Sequence, residues 1–142
     1  MAIPAQSNLA IRKAAFAILL ALIAAAVVYV FVDNRPWTVP EGAKQRQNPL
    51  QPSEAALQSA RSVYSEKCAS CHGDTGKGDG PDASSHNPTP SDFTDRRRIS
   101  AATDGELFYK ISEGHKPMPS FKKRLTEEQR WRLVLLIRSF AQ

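Results

Sequence analysis

Two thiols and an imidazole lie within five residues, Cys68-Ala69-Ser70-Cys71-His72, and the 142-residue chain has no other cysteine. Thiols three positions apart on one tight turn can each form a thioether with a porphyrin vinyl group. The adjacent imidazole then reaches the iron as its proximal ligand. C-x-x-C-H is therefore the pattern of covalent c-type haem attachment. Two other chemistries use the same residue types. A redox dithiol needs a strand–helix–strand setting, which the sequence lacks. A structural zinc site needs a fourth ligand; His86 or His115 is available, but there is no second C-x-x-C and no H-x-H cluster. A dithiol or zinc protein stands as the alternative to a haem protein.

A soft donor occurs further on. Met118 follows His72 by 46 residues and sits between Pro117 and Pro119, which stiffen the backbone around it. On residue type alone it is either a thioether ligand or a core methionine. The glycines Gly73, Gly76, Gly78 and Gly80 lack the spacing of a phosphate loop, and Asp74, Asp79 and Asp82 do not fit a calcium loop. Around Met118 lie Lys110, Lys116, Lys122, Lys123 and Arg124 against Glu113 alone. This cluster is either a solvated face or an electrostatic docking rim for an acidic patch on a partner.

The elements that must position these residues divide the chain into four. Residues 1–13 form a short basic N-terminus. Residues 14–32 are 19 uncharged apolar or aromatic residues, a helix of about 28 Å against a hydrocarbon core of ~30 Å. Arg12 and Lys13 before it predict a cytoplasmic N-terminus, and Tyr29, Arg35 and Trp37 mark its outer end. A signal peptide cut near Ala24-Ala25-Ala26 would leave a strongly apolar leader, so the run reads as a retained anchor in the inner membrane, with the rest of the chain on the periplasmic side. Residues 33–52, with four prolines and no periodicity, read as an extended linker with an upper reach of about 60 Å. Residues 53–142 form an all-α head. Ser53 caps a first helix, Thr103-Asp104-Gly105-Glu106 opens a second that Gly114 stops, and Thr126-Glu127-Glu128-Gln129 opens a third reaching Phe140. A long Gly- and Pro-rich loop spans residues 73–95.

Charge excludes one class of partner. Residues 53–142 carry 14 basic and 12 acidic side chains, too dilute a surplus for a nucleic-acid footprint. A head of this size also buries little apolar surface by itself, so a tethered haem would supply much of its core.

Five stretches carry a family resemblance: Cys68–Gly73, Gly76–Pro81, Pro88–Thr94, Asp104–Phe108 and Gly114–Phe121, with the terminal helix from Trp131. From Cys68 to Phe140 the chain resembles a class I monohaem cytochrome c, especially the bacterial group related to cytochrome c subunits of haem–copper oxidases. Leu136 departs from that family, which often has Tyr there. The resemblance implies one covalent haem c with His72 and Met118 as axial ligands, and Pro88 as donor of the carbonyl that orients His72. With both axial positions filled the site exchanges single electrons and catalyses no bond chemistry. The implied role is a membrane-anchored carrier to or between membrane redox complexes, such as a respiratory oxidase or a photosynthetic reaction centre. A fixed haem subunit of a larger membrane enzyme is the alternative.

Overall fold

The structure, a computed structural model, describes residues 5–33 and 37–142. The chain divides between Trp37 and Thr38 into two units. The first is one helix, α1 (Ala5–Asp33). Its apolar part, Leu9–Phe31, has 23 residues, about 34 Å of helix and enough to cross a ~30 Å hydrocarbon core. Large apolar side chains are exposed all round it, from Leu9 to Phe31. The helix begins before residue 14 because nothing between Ala5 and Lys13 breaks it, so Arg12 and Lys13 ride on the helix itself. Residues 1–4 of the expected N-terminal segment, and Asn34, Arg35 and Pro36 of the expected linker, lie outside the described residues.

The second unit is all-α, and the described residues contain no strand. Its elements are α2 (Glu41–Lys44), α3 (Glu54–Lys67), α4 (Ala69–His72), α5 (Arg96–Ala101), α6 (Asp104–Glu113) and α7 (Glu127–Phe140). The three helices read from caps start where their caps stand. The Ser53 and Thr103 hydroxyls accept the Ala56 and Glu106 N–H groups, and Thr126 and Gln129 bond reciprocally. Gly114 ends α6 at φ +66°, and a Cβ there would fall 2.5 Å from the Pro119 carbonyl carbon.

The core forms where α3 and α6 pack on α7. Val134 and Leu136 are fully buried, and Trp131 stacks on Phe108 with ring centroids 3.9 Å apart. Leu136 thus occupies an apolar core position with no need for a hydroxyl. Arg138 of α7 pairs with Asp104 at 2.7 Å and donates to the carbonyls of Ile99 and Ala102, tying α5 to the start of α6.

The stretch expected as a free linker is largely docked. Residues 38–50 belong to the second unit and lie along α6 and α7 as a strap. Thr103 Oγ1 donates to the Lys44 carbonyl at 2.7 Å, and Asn48 Nδ2 donates to the Trp131 carbonyl at 3.0 Å. The Arg46 guanidinium lies 4.6 Å from the Phe108 ring centroid and 5.2 Å from that of Trp131, and pairs with Glu127 at 2.6 Å. Gly105 makes the approach possible, since a Cβ there would fall 2.0 Å from the Ala43 carbonyl oxygen. Proline content and lack of period hid this docking. A four-residue helix displays no periodicity, and the strap is held by long-range hydrogen bonds and a cation on aromatic rings rather than by an apolar stripe.

Candidate functional site

α3 delivers the motif. Its last turn places Cys68 at the junction with α4, and α4 carries Cys71 and His72. Both cysteines are free thiols and half-buried. Burial, with a smaller contribution from Cys71, pushes the Cys68 thiol up to about 11, so it rests protonated at neutral pH.

The loop after α4 wraps back over the motif. Gly78 N–H donates to the His72 carbonyl at 2.8 Å, Gly80 N–H to that of Cys71 at 3.2 Å and Asp82 N–H to that of Ser70 at 2.8 Å. Two glycines make this path possible. Gly76 and Gly78 both have φ near +77°, and a Cβ would strike the Phe140 ring at 2.8 Å or the Pro90 carbonyl oxygen at 2.5 Å. Tyr64 of α3 donates its hydroxyl to the Gly73 carbonyl at 2.8 Å, and burial raises its pKa.

His72 is held on two sides. Its Nδ1 lies 3.1 Å from the Ser91 carbonyl oxygen, and its ring stacks on Phe93 with centroids 4.4 Å apart. A carbonyl only accepts, so Nδ1 carries the proton and the Nε2 lone pair is left for a metal. Burial lowers the pKa of His72 and so favours the neutral imidazole, an effect that the Ser91 bond opposes only in part. The carbonyl expected from Pro88 is thus supplied by Ser91, three residues on. A backbone acceptor has no side-chain signature, so sequence located the loop but not the residue. Phe93 carried a clearer signal, as the one aromatic residue in the polar run 73–95.

Met118 closes a tight turn whose tip is Lys116-Pro117. His115 and Met118 exchange both backbone hydrogen bonds, at 3.0 and 2.8 Å. The Met118 side chain is half-buried and packs against the same apolar core as Cys68. The segment after it folds back on the end of α6, with Phe121 N–H bonded to the Ile111 carbonyl and Lys122 N–H to that of Ser112. The five basic residues expected to form a rim are not equivalent. Lys110 is half-buried and pairs with Glu106 at 2.6 Å, and Lys122 pairs with Glu113 at 2.8 Å. Lys116, Lys123 and Arg124 are exposed with no ion pair among the described residues.

Residues 55–137 match the family described as cytochrome C oxidase, cbb3-type, subunit III. The chain belongs to this family. Its cytochrome domain transfers electrons and carries covalently bound haem c. No curated protein matches the chain. Among solved structures, a Kuenenia stuttgartiensis reducing HAO-like protein complex is similar at 29% identity and TM-score 0.57, over 78% of this chain and 54% of that one. This cytochrome therefore spans about half the length of that relative. The c-type cytochrome KustC0563 is 28% identical with TM-score 0.51, over 58% of this chain and 98% of that one. Cytochrome CL of the methylotroph Methylophaga aminisulfidivorans shares the fold, with TM-score 0.53 at 19% identity over 74% of this chain and 71% of that one.

The residues present fit the haem of this family. Two unpaired thiols flank one helical turn, and an imidazole is fixed by its Nδ1 with Nε2 left over.

Proposed function

We propose that this cytochrome is a membrane-anchored, single-haem carrier that passes electrons to a membrane redox complex, with His72 and Met118 as the two axial ligands. The observation that carries the reading is the His72 arrangement: Nδ1 committed to Ser91 and Nε2 without a protein hydrogen bond among the described residues. Bound haem supplies reversible one-electron chemistry there. The chain's own contribution is structural. Ser91 fixes the imidazole's tautomer and tilt, Phe93 covers one ring face, and the turn from His115 to Met118 presents a thioether from the same core. With His72 and Met118 both holding the iron, substrate would have no access to it and the group would supply electron transfer only.

α1 supplies the anchor and places the head on the periplasmic side, the orientation that Arg12 and Lys13 favour. A respiratory oxidase is the partner class that the family's description favours, reached through an acidic patch opposite Lys116, Lys123 and Arg124. The docked strap supports a second reading, a fixed haem subunit of that complex. Only residues 34–39 separate α1 from Pro40 at the start of α2, a chain reach of at most about 25 Å instead of 60 Å. Stopped-flow oxidation in native membranes across a salt series separates the two. A mobile carrier slows as salt rises, because screening acts beyond ~8 Å at physiological ionic strength and rim charges mainly set the encounter rate. Salt-independent oxidation means a permanently docked subunit.

A further inference from the structure

The cytochrome has a second basic surface that its electron-transfer role does not use. α5 opens with Arg96, Arg97 and Arg98, all exposed and none in an ion pair among the described residues. The two neighbouring carboxylates are already engaged. Asp95 accepts the Arg97 and Arg98 N–H groups at 3.0 and 3.2 Å, and Asp92 accepts from the Thr94 N–H and hydroxyl, both at 2.7 Å. Hydrogen bonds from Thr94 lower the Asp92 pKa, and Lys77 is near enough to add to that effect.

The position of this ridge gives it a meaning. α5 ends two residues before Thr103, and Thr103 holds the Lys44 carbonyl of the strap. Five residues from Arg98 to Thr103 span at most about 17 Å, and Arg138 ties Ile99 and Ala102 to Asp104, so the ridge belongs to the N-terminal end of α6. The Met118 turn and the unpaired cations Lys116, Lys123 and Arg124 are tied to its C-terminal end, about 15 Å away along a ten-residue helix. The two basic surfaces therefore belong to different ends of the head.

We propose that Arg96, Arg97 and Arg98 form a membrane-docking face that binds the phosphate groups of anionic lipids in the bilayer holding α1. This rests on the anchor reading above. Guanidinium groups match phosphate oxygens in paired hydrogen bonds, and a short tether keeps the head near the bilayer. One basic residue near an anionic surface raises partitioning about fivefold, so three raise it about a hundredfold, an effect confined to roughly a Debye length. A span of at most ~25 Å between Asp33 and Pro40 keeps that contact within reach. Lipid docking at one end of α6 leaves the Met118 end directed towards a protein partner.

The test uses full-length haem-loaded protein in nanodiscs of phosphatidylcholine, with or without phosphatidylglycerol. Amide hydrogen exchange across residues 94–102 should slow at least fivefold in the anionic discs and not in the neutral ones. Residues 115–124 should exchange alike in both. The difference should vanish at 0.5 M salt and in R96Q/R97Q/R98Q, a variant that keeps the Asp95 cap and changes only exposed side chains. Co-elution with the discs but equal exchange in both lipids overturns the docking face and leaves the anchor standing. Slowing that appears only when an acidic protein partner is added, in either lipid, also overturns it. A chain that fails to co-elute overturns anchor and docking face together.

Discussion

Gly105→Ala sets two physical effects against each other, and the sign of the outcome decides between them. Gly105 lies in the first turn of α6 with no special backbone angle, so alanine there favours the helix by up to ~1 kcal/mol. The added methyl, however, falls 2.0 Å from the Ala43 carbonyl oxygen, 2.7 Å from that of Arg46 and 3.0 Å from the Arg46 nitrogen. All three are backbone atoms, so the strap itself must retreat by roughly 1.5 Å to reach normal contact distance. The 2.7 Å bond from Thr103 to Lys44 and the 3.0 Å bond from Asn48 to Trp131 do not survive such a shift, at about 1 kcal/mol each. Arg46 loses its place over Phe108 and Trp131, another ~0.5–1 kcal/mol, while its ion pair with Glu127, largely exposed, adds almost nothing. The strap therefore loses about 2.5–3 kcal/mol of docking, and the folded chain about 2 kcal/mol once the helix gain is set against it. Amide exchange over residues 43–48 should accelerate about a hundredfold in the haem-loaded protein, and thermal unfolding should shift down rather than up. Exchange unchanged at these positions, or a higher melting temperature, would refute the docked strap and leave helix propensity as the whole effect.

Three further outcomes follow from the site. Acid denaturation in organic solvent should leave the haem on the polypeptide through Cys68 and Cys71; extractable haem, or zinc in its place, rules out the thioether reading. Met118→Ala should remove the weak red absorption of a methionine–ferric iron bond and lower the reduction potential, whereas an unchanged oxidised spectrum moves the sixth ligand to His115 or elsewhere. Charge reversal at Lys123 and Arg124 should slow electron delivery severalfold at low salt. Reversal at Lys122 should do less, because Glu113 already offsets its charge at 2.8 Å; equal effects at all three positions would show that the pairing does not matter.

Much of this protein can be read from local sequence because its decisive signals are local. The two thiols and the imidazole act within five residues, so their spacing put haem attachment ahead of the dithiol and zinc alternatives. Ser53, Thr103 and Thr126 bond to N–H groups three residues ahead, so helix starts were legible one turn at a time. The apolar run of α1 needs only length and the absence of charge. Tertiary structure decided whatever depends on residues far apart in the chain. Which carbonyl meets His72 Nδ1 depends on how a 19-residue excursion closes, and it closes on Ser91 rather than Pro88. Of the five basic residues near Met118, folding offset Lys110 and Lys122 with carboxylates and left Lys116, Lys123 and Arg124 without an ion pair among the described residues. The strap is the largest departure. Arg46 meets Glu127, 81 residues away, across two aromatic rings that no local pattern connects to it. A polar, proline-rich segment looks free until the surface that holds it has been built, and that surface exists only once α6 and α7 have packed together.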